Sequence, residues 1–471
     1  MKVVLVATNI ELEPLRQAVD RGSLEGIQLS PESIAAAYAR ISRSSHSVDR
    51  LRREARQDVA KARKSNERIV FEMGHASIAE HAVFNFDIEG VSRLALEELE
   101  RSRLASYTER SQRYVMIGKD FFWPQEMQRV SDVAGKMNEL MESLSDAYRA
   151  LYQGILMSLN SEPREGGGKE NSAARARKAE EMAREDARYV LPLCTTGQVG
   201  VTINARSLED TVRRMAGSRL SEVRELADRL EAEALKVTPS LVRYTEAVPC
   251  PFEAPLVASS AASDGPRVSL LDATVDGEAK LAEALTWMTG RPVLSLEDLG
   301  RQMAEYYVPG SPHLRAPRLF ELLDFTFEVV VSGTCFAQLK RHRMATILAG
   351  PYDLGLGVRV PPTITRAGVE ERYLDACRRA QAVASEWMGR FPEASTAAAY
   401  CLTNGHQRRV RVKMNLRELY HFSRLRLDEH AQWEIRLLAR EICDQARGRF
   451  PVACAFLCGK HEYAAWVGSP R

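Results

Sequence analysis

Long apolar runs are missing from this chain. No uninterrupted stretch approaches the ~20 residues that a membrane-spanning helix needs. The apolar residues 3–7 run too soon into Glu11 and Glu13 to act as a secretory signal. A charge excess is missing too: 65 Lys and Arg stand against 63 Asp and Glu in 471 residues, a formal net charge of +2. Bulk polycationic attraction to nucleic acid or to a membrane surface is thereby excluded, and any anion must be met by locally clustered arginines. Of eight cysteines only Cys454 and Cys458 lie close together, and a lone CxxxC is no zinc framework. Such usage predicts buried free thiols in a reducing cytoplasm. GxGxxG, Walker A, HExxH and HxxEH patterns are absent, as is a Ser/His/Asp or Cys/His nucleophile arrangement. Chemistry here must rest on a bound cofactor and on electrostatics.

What the chain does contain is a repeat. Residues 84–103 (FNFDIEGVSRLALEELERSR) and 325–343 (FTFEVVVSGTCFAQLKRHR) each read as an alternating strand, then a helical stretch closing on Arg-x-Arg. Arg101 and Arg103 recur 240 residues on as Arg341 and Arg343, whereas INARSL at 203–208 recurs 211 residues on as MNLREL at 414–419. The first copy therefore holds about 29 extra residues between its signatures, part of them in the Gly-rich stretch 165–171, which reads as a surface loop. Pro249, Pro251 and the Ser/Ala/Gly/Pro-rich 257–266 mark 246–268 as a linker, giving domains at 1–245 and 269–471. Helical spacing covers 33–66, 132–158, 174–190, 207–236, 370–390 and 417–447. The run 48–67 alternates acids with bases and reads as a solvated helix face, while 408–413 reads as a strand with one cationic side, facing phosphate or water.

Four clusters could carry chemistry. His75, Ser77, Glu80 and His81 form a polar rim that either caps a helix or hydrogen-bonds a heteroaromatic cofactor; Ser77 stands where HxxEH needs a histidine, so no metal is expected. Arg101, Arg103, Arg110 and Arg113, with Arg93 nearby and interleaved with Ser106, Ser111 and Gln112, offer the fork-shaped and hydroxyl donors that suit a nucleotide phosphate, or else form an arginine-rich surface helix and turn. Gln338 precedes Arg341-His342-Arg343 by one helical turn. Asn415-x-Arg417 leads to Arg426 and His430, whose i, i+4 spacing predicts a shared helix face.

HASIAEH, RSRLASYTERSQRYV, RYVLPL and INARSL in the first half, with RHRMAT and NLRELYHFSRLRLDEHAQWEI in the second, resemble the flavin-dependent thymidylate synthases and their signature RHRxxS extended to SxRY. The resemblance covers nearly the whole chain in two tandem copies. It implies an α+β fold, each copy a small sheet with a long-helix bundle. It implies FAD as cofactor, NADPH and methylenetetrahydrofolate as co-substrates, and conversion of dUMP to dTMP. Family sites form between the subunits of a tetramer, so a homodimer of this double-length chain is expected, cytoplasmic and with no nucleic-acid or membrane partner. Ser111, Gln112, Arg113, Arg188, Gln338 and Arg341 would hold the nucleotide, and Arg426 would polarise the pyrimidine. His75, Ser77, Glu80, His342, Arg343, Asn415, Arg417 and His430 would serve FAD.

Each copy departs from the pattern in its own way. In the first, Ser102 replaces the RHR histidine, Glu98 the preceding glutamine and Met215 the late arginine, and HAQWE is unrecognisable around 219–223. In the second, Ala316 and Leu322 replace the HxSxxEH histidines, Thr346 the signature serine, Pro351 and Asp353 the serine and arginine of SxRY, and Ala399 the match to Arg188. The losses are complementary. One site stitched from both copies would stay whole. The other would gather Glu98, Ser102, Met215, Pro351 and Asp353, set carboxylates where phosphate belongs, and bind no nucleotide. A catalytically inactive flavin- or nucleotide-binding scaffold, and C5-methylation of another uridine nucleotide, stay open as alternatives.

Overall fold

Strand alternation sets the two sheets. In β2 (Val83–Ser92) Phe84, Phe86 and Ile88 are buried while Asp87 and Glu89 face out, the period-2 pattern of a half-covered antiparallel strand. The structure is a computed structural model that describes residues 1–23, 29–128, 131–161, 172–248, 256–259 and 267–468. The stretch 165–171, and 249–255 and 260–266 of the expected linker, lie outside these. β1 (Lys2–Thr8), β2, β3 (Ala105–Glu109) and β4 (Thr196–Asn204) form one antiparallel sheet in the order β1-β2-β4-β3. β5 (Val268–Ala273), β6 (Asp324–Ser332), β7 (Thr346–Tyr352) and β8 (Gln407–Asn415) form a second, ordered β5-β6-β8-β7. The repeat persists in the register: Phe84 lies opposite Ile203, and its equivalent Phe325 opposite Met414. The amino-terminal residues, silent in sequence, supply the edge strand β1.

Two compact units result. The first comprises Met1–Asp146, Pro192–Glu253 and Ala382–Leu402; the second comprises Ala147–Leu191, Ala254–Gln381 and Thr403–Arg471. Each unit therefore takes a segment from the other copy, which linear boundaries at 1–245 and 269–471 do not anticipate. In the second unit Phe325, Phe327, Val410 and Val412 of the sheet share a core with Leu416, Leu419, Ile435, Leu438 and Ile442 of the helices. Full burial of each such side chain contributes about 1.5–3 kcal/mol.

The long helical patterns are broken by local chemistry. The stretch 33–66 becomes Pro31–Ile41, Val48–Gln57 and Val59–Glu67, the last capped by the Asp58 carboxylate accepting from the Lys61 N–H, and it continues as the π-helix Arg68–Glu72. The stretch 207–236 divides into Ala205–Ala216 and Ser221–Leu235 around Gly217. The mixed-charge run is a solvated face, with Leu51 and Ala55 buried and Arg50–Glu54 and Arg53–Asp49 paired outside. On β8 the cationic side leans on its neighbour strand: Arg409 and Arg411 meet Glu328 and Lys413 meets Asp324. The seven described cysteines are buried and free, and burial pushes the Cys401 thiol up to about 12. Among the described residues no helix is long and apolar enough to cross a membrane.

The turn after 402 shows how tightly the borrowed segment is packed. Gly405 donates its N–H to the Tyr189 carbonyl at 2.8 Å, and a β-carbon there would overlap the Tyr373 hydroxyl, itself held on the Arg359 carbonyl. Gly405→Ala should destabilise the second unit by about 1–3 kcal/mol. A lowered urea midpoint checks this; a wild-type midpoint would contradict it.

Candidate functional site

In the second unit β6 ends at Ser332, whose hydroxyl accepts from the Cys335 N–H at 3.0 Å and starts the helix Gly333–Leu339. Gln338 sits on its last turn, and the following turn buries His342 between exposed Arg341 and Arg343. β8 ends at Asn415, whose side chain accepts from the Glu418 N–H at 2.9 Å and starts the helix Leu416–Arg426. That helix grips His342 from both sides. Arg426 Nε donates to His342 Nε2 at 2.8 Å, and His342 Nδ1 lies 3.1 Å from Glu418 Oε1. An accepting Nε2 fixes the tautomer, so Nδ1 carries the proton and donates to Glu418. Arg426 Nη2 also donates to the Gln338 carbonyl at 3.0 Å. Burial, then the adjacent Arg426 charge, hold His342 well below its ordinary pKa, while burial raises Glu418.

Two more features mark this place. Gln338 is 6% exposed, and its Nε2 is buried with no hydrogen-bond partner among the described residues. Leaving such a donor unmet costs about 1–3 kcal/mol, which a ligand acceptor would recover. Arg188, from the first copy, lies in the same unit: it follows the helix Ser172–Ala187, is 7% exposed, and has its carbonyl held by Asn404 Nδ2 at 3.1 Å. One unit therefore contains Arg188, Gln338, Arg341, His342, Arg343 and Arg426.

The first unit repeats the backbone with other side chains. Ser92 caps the helix Arg93–Leu99, which carries Glu98. Glu98 accepts from Arg101 Nη1 at 2.8 Å and Arg214 Nη1 at 3.3 Å. Ser102, in the place of His342, meets Thr211 Oγ1 at 2.6 Å and Arg214 Nη2 at 3.3 Å, and Met215 is buried in the place of Arg426. The Glu98 carboxylate is thus paired with two guanidinium groups. Asp353 lies in the second unit, where it caps a turn by accepting from the Gly355 and Ser259 N–H groups, both at 2.9 Å.

The remaining sequence-derived candidates divide. Ser111, Gln112 and Arg113 form the turn after β3, with Ser111 Oγ accepting from the Arg113 N–H at 3.1 Å and the guanidinium 5.5 Å from the Tyr114 ring centre. His75 and Ser77 line a cavity of about 430 Å³ together with Tyr38, Arg40, Arg43 and His46. Glu80 is paired with Arg206 of its own copy at 2.5 Å, and Arg417 with Glu321 at 2.7 Å, so two residues assigned to one cofactor each have an ionic partner at home. The helix ends at Arg426, and His430 stands exposed in a turn with its N–H on Asp428, so the shared helix face is not formed. Gln432 restarts the chain as Trp433–Arg449 by accepting from the Glu434 and Ile435 N–H groups. Glu222, outside every motif quoted above, takes in the first unit the place of Glu434 in the second; its signal in the sequence is Ser221-Glu222-Val223 against Trp433-Glu434-Ile435.

Twin units, each turning an Arg-x-Arg against an Asn-capped helix, define a tandem α+β protein. Residues 27–240 and 269–452 both match the family described as thymidylate synthase complementing protein, and the chain belongs to that family. The flavin-dependent thymidylate synthase of Clostridium tetani is 30% identical over 236 residues, covering 48% of this chain and 89% of that protein. That of Geobacter sulfurreducens is 33% identical over 182 residues, 38% and 66% of the two chains. A UPF0159 protein of Chlamydia pneumoniae is 24% identical over 417 residues, 81% of this chain and 78% of its own. Among solved structures, a UMP/dUMP methylase of Streptomyces cacaoi bound with 5-Br dUMP aligns at a TM-score of 0.35 and 18% identity, covering 51% of this chain and 92% of that one.

His342 generates a pH prediction. Neutral in the folded unit and ordinary near 6.5 when unfolded, it contributes stability that is present above that value and lost as pH falls below it. His342→Gln should flatten the fall in unfolding midpoint between about pH 7 and pH 5. Parallel midpoint curves for the two proteins would contradict the assignment.

Proposed function

We propose that the chain catalyses FAD-dependent reductive methylation of dUMP to dTMP, with methylenetetrahydrofolate as carbon donor and NADPH as reductant. In net terms the C5 hydrogen leaves as a proton, the methylene becomes the methyl group, and two electrons come from NADPH. The observation that supports this reading is the sorting of side chains between units. Arg188 of one copy shares a unit with Gln338, Arg341 and Arg426 of the other, whereas Ala399 shares a unit with Glu98, Ser102 and Met215.

Arg341 and Arg188 offer guanidinium forks to the phosphate, and the unmet Gln338 amide offers a donor to the nucleotide. Arg426, aimed by His342 and through it by Glu418, stabilises negative charge developing on the pyrimidine. Both nitrogens of His342 are engaged, so it acts by orienting Arg426. Ser111, Gln112 and Arg113 complete the nucleotide site in a homodimer. The cavity beside His75 and Ser77, with Arg40 and Arg43 on its wall, has the donors an anionic dinucleotide needs and would hold part of FAD, which supplies the redox chemistry when bound. Arg343 would add a further cation for it. Asn415 and Arg417 serve by fixing the helix start, and buried free thiols fit a cytoplasmic setting.

Tritium release from 5-³H-dUMP with NADPH and methylenetetrahydrofolate tests the reading. Wild-type protein should release tritium, and Arg426→Ala and Arg113→Ala should each lower the rate on the order of 100-fold. Arg101→Ala, which removes one partner of Glu98, should change it little. Wild-type protein that binds FAD and dUMP yet releases no tritium would overturn the catalytic reading in favour of a scaffold.

A further inference from the structure

Two buried carboxylates, one per unit, have no part in that chemistry. Glu434 is fully buried at the start of its helix and accepts from the Ser332 N–H at 3.3 Å, the Ser332 hydroxyl at 2.6 Å, the Tyr189 hydroxyl at 2.6 Å and Arg267 Nη2 at 3.5 Å. Ser332 is the cap of the helix that carries Gln338. Tyr189 is the neighbour of Arg188.

The residues beside Glu434 close the grip. Gln432 Nε2 donates to the same Tyr189 oxygen at 2.7 Å. Trp433 stacks on the Tyr189 ring at 5.9 Å, and its Nε1–H donates at 2.9 Å to Asp186, on the other side of Arg188. Three successive residues thus pin the chain before and after Arg188, while the Glu434 carboxylate also pins the helix of Gln338. The first unit repeats the device. Glu222 accepts from the Ser92 N–H at 2.6 Å, the Ser92 hydroxyl at 2.5 Å and the Tyr400 hydroxyl at 2.8 Å. The residue before Tyr400 is Ala399, so here the same latch secures a segment that brings no arginine.

We propose that the Glu434–Tyr189 hydrogen bond is a positioning device for nucleotide affinity, locking the borrowed segment so that Arg188 meets the same ligand as Gln338 and Arg341. This rests on the reading that Arg188 contacts the nucleotide. Neither Glu434 nor Tyr189 touches substrate; the pair acts through Arg188. Without the tyrosine donor the ring still packs on Trp433 and the main chain keeps its bonds from Asn404 and Gly405, but the segment loses the direct link through Glu434 to Ser332, the cap of the helix of Gln338.

Tyr189→Phe keeps the ring and removes the donor, and Tyr400→Phe does the same in the first unit. Full-length FAD-loaded protein is titrated with dUMP, and thermal unfolding is followed in parallel. Tyr189→Phe should weaken dUMP binding about tenfold, the order expected for losing one hydrogen bond to a charged group. Tyr400→Phe should leave the Kd unchanged while lowering the melting temperature to a similar degree. Wild-type dUMP affinity in Tyr189→Phe overturns the proposal, as does equal weakening by both variants. Arg188→Ala tells the two failures apart. Wild-type affinity there overturns the nucleotide assignment itself, whereas lost affinity there with wild-type affinity in Tyr189→Phe removes the latch alone.

Discussion

A carboxylate withdrawn from water must be met by donors, or its burial costs several kcal/mol. Glu434 and Glu222 meet that demand in the same way, with a serine that caps a helix of one copy and a tyrosine brought by a segment of the other. The bond is satisfied only when two parts of the duplicated chain come together in one unit. The exchange of segments therefore has a physical anchor in each half, and the sorting of functional side chains depends on it. The anchors differ in their surroundings. Arg267 stands beside Glu434, whereas burial pushes the Glu222 carboxyl up to about 7 against the pull of its Ser92 and Tyr400 donors.

Once each unit holds side chains from both copies, the two units are free to diverge. The second keeps a relay in which Glu418 fixes the His342 tautomer and His342 orients Arg426. The first replaces the histidine by Ser102 and the late arginine by Met215, and lets Glu98 draw in Arg101 and Arg214. Guanidinium groups that could meet a phosphate are thereby answered within the protein. The backbone is retained, and the position of Gln338 is taken by a glutamate with guanidinium partners of its own.

Much of this was legible in the sequence. Strand alternation and the recurring Arg-x-Arg locate β2, β6 and the turns that follow them, and the reciprocal losses at Glu98, Met215, Pro351 and Ala399 are plain from the residues alone. The interleaving of units was hidden, because no local property of residues 147–191 or 382–402 says which half they join; only the partners of Tyr189 and Tyr400 do. Helical periodicity ran past real ends, since Gln432 stops one helix and starts the next by side-chain capping that apolar spacing does not register. The broken face of Arg426 and His430 is one consequence, and the home pairing of Glu80 with Arg206 and of Arg417 with Glu321 was equally invisible to a motif.

The proposed chemistry requires one dUMP site per chain, the twin position being taken by Glu98 with its own arginine partners. Equilibrium dialysis of the FAD-loaded protein against dUMP measures this most directly. One equivalent bound per chain is the predicted result; two equivalents of equal affinity would contradict the account.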